Sequence, residues 1–385
     1  MIRDLRIKKI ELFKVPPRWL FLKMTTEGGL VGWGEPVVEG KADSVAAAVK
    51  EYGEQLIGHD ASHIEDAVQM MYRGGFYRGG PVLSSAMSGI EQAMWDIKGK
   101  YLGVPVYDLL GGKVRDRIQV YRWIGGDRPR DVVAQAEIAV SQGYKAVKMN
   151  GTDEMKWVDS YDKLDDCVER VAAIREKFPK LGIAVDFHGR VHKTMAKVLM
   201  HKLEPYDLMF VEEPVLCENE EEFTRLRLAA NIPLATGERN FTRWGFKNML
   251  MGGGVDIIQP DVSHCGGIWE LRKIAAMAEA YDVSLAPHCP LGPIALAACL
   301  AVDFCTPNAF IQEQSAGIHY NEGYDLLNYI KNRKIYEYKD GNCEIFSAPG
   351  LGVEIDEDYV RRMAEGGHRW HNPIWRDREG AVAEW

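Results

Sequence analysis

The chain has 385 residues, 46% of them hydrophobic and 27% charged, with a net charge of −9 at pH 7. That composition is ordinary for globular material and excludes disorder, and its acidic balance leaves no electrostatic footprint for nucleic acid or an anionic membrane. The length exceeds what one ordinary core serves, so two domains are expected, and an α/β barrel with an added small domain fits.

The opening segment, Met1 to Lys14, carries charges at Arg3, Asp4, Arg6, Lys8 and Lys9 and no apolar core of signal length. No later apolar stretch reaches transmembrane length, so a cytoplasmic protein is expected. Seven scattered cysteines without a C-x-x-C argue against a disulfide framework and a zinc ribbon, and read as reduced, packed thiols. Asn150-Gly151-Thr152 and Asn240-Phe241-Thr242 match the glycosylation pattern, which without a secretory signal is chance.

"IKKIELFKV", "RWLFLKMTTEGG" and "LVGWGEP" read as three short strands with a turn at Gly28-Gly29, an antiparallel meander. Helical patterns follow over Val45 to Ile57, Ile64 to Tyr72 and Ser84 to Lys100. In the last of these Met87, Ile90, Met94 and Ile97 recur at helical spacing behind a cap at Ser84 or Ser85. Strands followed by helices make a small α+β domain. The glycine-rich stretch Tyr72 to Pro81, "YRGGFYRGGP", reads equally as a mobile loop or a plain linker.

From about Ile118 the texture changes. Eight apolar runs alternate with helical patterns: "IQVYRW", "KAVKMN", "GIAVDFH", "LMFVEE", "PLATGE", "DIIQPD", "VSLAPH" and "FIQE". Nearly continuous hydrophobic strands of this kind are parallel and buried on both faces, which points to a (β/α)₈-type barrel. Neither G-x-G-x-x-G nor the P-loop motif occurs, which removes the main support for a Rossmann or P-loop fold.

The runs end in polar residues: Lys148 and Asn150, Asp186 and His188, Glu212 or Glu213, Glu238, Asp261, His288 and Glu313. From Asp186 onward the intervals are 26, 26, 23, 27 and 25 residues, one β/α unit each time. These residues therefore share one height, at the C-terminal mouth where barrel active sites lie. Asp186 and His188, two residues apart, are expected to project from one face of their strand. Three acids converging from successive strands, Asp186, one of Glu212 and Glu213, and Glu238, raise one another's pKa unless a cation intervenes, and an all-oxygen set favours Mg²⁺ or Mn²⁺. Such a centre leaves positions for a substrate that chelates through a carboxylate and an adjacent hydroxyl. His288, with Asp261 on the preceding strand, has the makings of a general base, and His188 of an acid on the opposite side. His264 has no strand-end partner and reads as structural.

These residues carry a resemblance over essentially the whole chain. The helix "GIEQAMWDIKGKYLGVPVYDLLGG", the strand ends "VDFHGR", "VEEP" and "TGER", the pair "QPD" and "APHCP", and "IQEQS" resemble the enolase superfamily, mandelate racemase subgroup. More narrowly, "PPRWLFLK", "GFYRGGP", "DFHGRV", "APHCPLGPIALAACL" and "NPIWRDREGAVAEW" are similar to the D-galactonate dehydratases. The resemblance implies a modified TIM-type (β/α)7β barrel with an N-terminal α+β capping domain. The division it implies is 1–116 for the capping domain, 117–315 for the barrel, and 316–385 as a C-terminal segment completing the cap.

It further implies Asp186, Glu212 and Glu238 as ligands of one Mg²⁺ per chain. His288 becomes the base that removes the C2 proton, Asp261 its partner, His188 the acid for the departing 3-hydroxyl, and Glu313 an enolate stabiliser. Lys148 and Asn150 are the expected substrate contacts, and "PPRWLFLK" and "GFYRGGP" the capping-domain loops. Many relatives carry K-x-K on the second barrel strand, where this chain has Lys148-Met149-Asn150. With no second lysine base, racemisation is disfavoured, while β-elimination needs one base and one acid. The implied activity is dehydration of a sugar acid, D-galactonate before gluconate, mannonate or rhamnonate, by a homo-oligomer. A racemase or epimerase on the same scaffold, or a silent binding protein, are the other readings.

Overall fold

The computed structural model describes residues 4–385. Residues 1–3 of the expected capping domain, Arg3 among them, lie outside the described residues. Strands β1 (Ile7–Val15), β2 (Trp19–Thr26) and β3 (Val31–Gly34) form an antiparallel sheet in sequence order. Helices α1 (Ala42–Leu56), α2 (Ile64–Arg73), α3 (Pro81–Leu102) and α4 (Val106–Leu109) follow.

Helix α3 begins three residues before the expected serine cap. Pro81 occupies its first turn, where a fixed φ and a missing N–H cost nothing, so Ser84 and Ser85 are interior and buried. Little of α3 meets solvent, because it is wedged between the sheet and the barrel. Gly34 permits this: a Cβ there would meet the Gly89 carbonyl oxygen of α3 at 1.9 Å.

The barrel starts with β4 (Arg117–Gln119) and β5 (Arg122–Ile124) and continues through α5 (Val132–Ser141), β6 (Ala146–Asn150), α6 (Tyr161–Lys177), β7 (Gly182–Asp186) and α7 (His192–Leu203). Then come β8 (Phe210–Glu212), α8 (Glu221–Arg227), β9 (Leu234–Thr236), α9 (Thr242–Gly252), β10 (Ile257–Ile258), α10 (Ile268–Ala280), β11 (Ser284–Leu285) and α11 (Pro293–Asp303). Strands β5 to β11 form one parallel sheet in sequence order. Residues 309–312 bridge its two edges, Ala309 to Leu285 and Gln312 to Val120. The backbone bonds Phe310 N to Leu285 O (2.8 Å) and Gln312 N to Gln119 O (2.9 Å) close the ring. Each of the eight runs thus supplies one stave.

One interior layer contains a residue from every stave: Tyr121, Ala146, Ala184, Phe210, Ala235, Ile257, Ala286 and Ile311. Small residues beside large ones fill the tapering interior, so the barrel is a packed core and not a pore. Two positions further along five of these staves stand Lys148, Asp186, Glu212, His288 and Glu313. Strand alternation therefore aims all five into the mouth above the apolar layer.

The last segment serves both parts of the molecule. Strand β12 (Asn342–Glu344) pairs antiparallel with β4, and α12 (Glu357–Gly366) packs on β1. Glu357 accepts a hydrogen bond from Lys23 at 2.6 Å, and Tyr329 donates its hydroxyl to the Pro16 carbonyl.

Two buried acids fasten the cap to the barrel mouth. Glu91 of α3 accepts from the backbone N–H groups of Ile268 (2.7 Å) and Trp269 (2.8 Å), the first turn of α10, and from Trp95 Nε1 at 2.6 Å. Glu35, just after β3, accepts from Gly292 N (2.7 Å) and Ala295 N (3.0 Å) at the start of α11. Each carboxylate satisfies orphan donors of a barrel helix and faces the positive end of its dipole. Glu91→Ala should lower stability by at least ~3 kcal/mol, because each stranded buried donor costs ~1–3 kcal/mol. Denaturant melts of wild type, Glu91→Ala and Glu91→Gln check this, and an unmoved Ala midpoint would contradict the fastening.

Candidate active site

The strand register builds the site. Asn150 lies beside Asp186, and Asp186 beside Glu212, on three adjacent strands. One oxygen each from Asp186, Glu212 and Glu238 lies within 4.8 Å of the others. Glu238 follows Gly237, whose φ of 140° turns the chain at the end of β9. The choice between Glu212 and Glu213 is resolved by alternation: Glu212 shares the inward face with Phe210, while Glu213 turns away. Arg239 donates to both Glu213 oxygens, at 2.8 and 2.7 Å.

Lys148 stands at the centre of this acidic mouth, buried, its Nζ 3.0 Å from both Glu212 oxygens, 2.8 Å from Glu313 Oε1 and 3.8 Å from Asp186 Oδ2. The carboxylates respond unequally to the crowding. Burial first, then Asp186, pushes Glu212 up to about 7. Burial also drives Glu238 well above the ordinary range, with Glu213, Glu212 and Asp186 adding to it and His288 opposing. For Asp186 burial acts upward too, yet His188 and Lys148 outweigh it and hold the group low. Three such groups do not ionise together without a compensating cation. Glu238 Oε2 is buried with no hydrogen-bond partner, an acceptor that a cation would satisfy. The all-oxygen donor set suits a hard dication.

His288 contacts Asp261 Oδ2 through Nδ1 at 2.8 Å, and its Nε2 faces Glu238 Oε2 at 3.4 Å and Glu313 Oε2 at 3.8 Å. Burial alone would lower the imidazole, but Glu238, Glu313 and Asp261 together raise it well above its usual value. A carboxylate at Nδ1 fixes the ring and leaves Nε2 as the working atom. Glu313 also accepts from the Cys289 backbone N–H at 2.9 Å.

His188 reaches the mouth by a different route from the one its spacing suggests. Strand β7 ends at Asp186, whose Oδ1 accepts from the His188 backbone N–H at 2.7 Å, and His188 has a φ of 48°. An Asx-type turn, not strand alternation, brings the two together. Arg190 Nη2 lies 2.7 Å from His188 Nδ1. The other ring nitrogen, Nε2, lies 3.0 Å from Asp186 Oδ2.

Asn150 stands behind the wall instead of in it. It is buried, its Nδ2 donates to the Asp127 carbonyl at 3.2 Å, and the cavity is lined by Asp127 in its stead.

Above the acids lies a cavity of about 440 Å³, within the usual range for a small-molecule site. Some of its walls come from the two loops expected to contact substrate, and others escaped the sequence reading. Arg18 belongs to "PPRWLFLK", and Pro81 closes "GFYRGGP", so both loops reach the cavity, although Phe76 and Tyr77 of the second are exposed to solvent. His264 is also a wall residue: its Nε2 lies 3.7 Å from Asp261 Oδ2 and 3.6 Å from Glu39 Oε2, and its Nδ1 is 3.1 Å from Ser85 Oγ. It is one turn of chain past Asp261, a proximity visible in "DVSH" once Asp261 is placed at the mouth. Trp385 lies against His188 with ring centroids 5.9 Å apart, a contact that no local pattern announces.

Comparison with known proteins matches this architecture. Residues 131–359 fit the model of the enolase C-terminal domain-like family, and residues 16–111 that of the mandelate racemase / muconate lactonizing enzyme N-terminal domain. The chain belongs to the enolase superfamily. The D-galactonate dehydratase of Xanthomonas campestris pv. campestris strain B100 is 55% identical over 382 residues, 99% of this chain and 100% of that one. The D-galactonate dehydratase of Cronobacter sakazakii is 54% identical over the same shares of both chains. Among solved structures, an enolase from Agrobacterium radiobacter with Na and L-malate bound superposes with a TM-score of 0.88 at 30% identity, covering 99% of this chain and 100% of that one. An enolase superfamily member from Salmonella Typhimurium gives 0.85 at 30%, covering 93% and 98%. The N-terminal α+β domain stands over the mouth of a (β/α)7β barrel. No helix among the described residues is long and apolar enough to cross a membrane.

Proposed function

We propose that this superfamily member is a Mg²⁺-dependent hydro-lyase that converts D-galactonate, or a close aldonate, to the 2-keto-3-deoxy acid. The observation that carries the reading is the pair of histidines on either side of the acidic trio, one fixed by Asp261 and the other by Arg190. The identity of 55% to D-galactonate dehydratases along the whole chain supports the choice of substrate.

Asp186, Glu212 and Glu238 would hold the ion. When bound, Mg²⁺ supplies electrophilic stabilisation of the negative charge that the substrate carboxylate acquires as C2 loses its proton. His288 Nε2 takes that proton, and Asp261 steadies the imidazolium. Lys148 places a buried ammonium beside the developing charge, worth far more there than in water. Glu313 holds Lys148 in place and faces His288. The C3–O bond then breaks, and His188, which must enter this step as the imidazolium, gives its Nε2 proton to the departing hydroxyl, which leaves as water. The resulting enol takes a proton at C3 and becomes the 2-keto acid. The cap, comprising 1–116 and 316–385 around the barrel of 117–315, closes the cavity through Arg18 and Trp385.

His188→Asn separates the two halves of this reaction. In D₂O the variant should exchange the C2 hydrogen of galactonate while forming no 2-keto acid, because the base remains and the acid is gone. NMR of the recovered sugar acid checks it. Dehydration by His188→Asn at the wild-type rate would remove His188 from the reaction.

A further inference from the structure

The ring of inward polar side chains has a sixth member. Gln259 stands two positions beyond Ile257 of the apolar layer, as Lys148, Asp186, Glu212, His288 and Glu313 stand beyond their own layer residues. It is fully buried and does not line the cavity. Strand β9, which separates β10 from β8, carries Gly237 at this height. No side chain therefore keeps Gln259 from Glu212, and the amide favours the ionised form of that carboxyl. Yet its Nε2 and Oε1 are both buried without a completed hydrogen bond. A buried carboxamide with both polar atoms unpaired destabilises the protein and calls for a reason beyond packing. On the other side of Glu212, Lys148 lies 3.0 Å from both its oxygens. Glu212 thus stands between an ammonium on β6 and an amide just past β10, each two staves away.

We propose that Gln259 is a positioning residue of the metal centre, whose amide N–H holds one oxygen of Glu212 so that the other is presented to Mg²⁺ alongside Asp186 and Glu238. The inference rests on the trio as the ligands of the ion and adds a residue behind them. A ligating carboxylate has two oxygens, and the one turned from the ion needs a donor to fix the rotation of the group. Lys148 is divided among Glu212, Glu313 and Asp186, so it does not supply that donor alone. A neutral amide adds a donor without a fourth negative charge in the mouth and without a second cation to repel the ion.

The test is Gln259→Met, of similar length and without either polar atom, and Gln259→Leu repeats it with a branched side chain. Calorimetric titration of the metal-free protein should show Mg²⁺ affinity reduced ~10–100-fold, the range for partners that stand behind metal ligands. The melting midpoint of the metal-free protein should be unchanged or raised, because an unpaired amide is removed. Galactonate KM at saturating Mg²⁺ should equal that of the parent, since Gln259 does not line the cavity. Unchanged Mg²⁺ affinity in both variants overturns the proposal and leaves Gln259 a packing residue. A KM raised at saturating Mg²⁺ overturns it too, by making Gln259 a substrate contact. If the parent itself binds no Mg²⁺, the metal centre falls and the role of Gln259 with it. If the parent binds Mg²⁺ and the variants bind it more weakly, while no 2-keto acid forms from any aldonate, the positioning role stands and the dehydratase reading falls.

Discussion

Replacing His288 with Asn should abolish both C2–hydrogen exchange and dehydration, with a loss of ~10²–10⁴ in rate, the range expected for a positioned general base. Few other groups can take over. Asn150 occupies the place where relatives with K-x-K carry a second base, and its side chain is turned to the Asp127 carbonyl. Lys148 is clamped by Glu212 and Glu313, and burial, which alone would lower it, is outweighed so that it stays firmly protonated. His188 is tied at both ring nitrogens, Nε2 lying 3.0 Å from Asp186 Oδ2 and Nδ1 2.7 Å from Arg190 Nη2, on the opposite side of the trio from His288. The variant should fold, since His288 retains some exposure and Asn still reaches Asp261 as a donor. Persistent deuterium uptake at C2 in His288→Asn would falsify the assignment of the base.

The second large effect concerns the acidic trio. Chelation should stop turnover and added Mg²⁺ restore it, and Glu238→Gln should weaken Mg²⁺ binding by at least ~10²-fold, since even outer-shell partners of metal sites are worth 10–100-fold. The same substitution should leave the melting midpoint of the metal-free protein unchanged or raised. Glu238 is a carboxyl pushed well above its ordinary range, with one buried oxygen unpartnered, so it already favours the neutral form without metal and an isosteric amide costs little there. Calorimetric Mg²⁺ titration and a thermal melt of the apo-protein check the two halves separately. Unchanged Mg²⁺ affinity would show that the ion, if bound, is held elsewhere.

The barrel was legible because its code is local. Each buried strand is a short apolar run, each ends in a polar residue, and the interval of one β/α unit puts those ends at one height. Even β10 and β11, two residues each, were visible in "DIIQPD" and "VSLAPH". The pairing of the inward layer with the site was also available: Phe210 inward implies Glu212 inward and Glu213 outward, so alternation could have settled what spacing left open. His188 shows the limit of that rule. It lies past the strand end in a left-handed turn, where alternation no longer applies.

What the sequence concealed is non-local. The Arg18–Glu39–His264 wall joins two loops of the cap to a barrel loop, residues far apart in the chain with no common periodicity. The final segment gives β12 to the barrel, α12 to the cap sheet and Trp385 to the cavity, and nothing in its composition marks these three destinations. The early start of α3 was hidden by the glycines before Pro81, which read as a loop and end as a helix N-terminus.

Dehydration, as opposed to racemisation or silent binding, is tested most directly by incubating the Mg²⁺-loaded protein with D-galactonate in D₂O and following the sugar acid by NMR. One base, one acid and an acidic trio between them predict loss of the C2 hydrogen and the 3-hydroxyl, with accumulation of 2-keto-3-deoxygalactonate deuterated at C3. Recovery of galactonate scrambled at C2 with no 2-keto acid formed would contradict it.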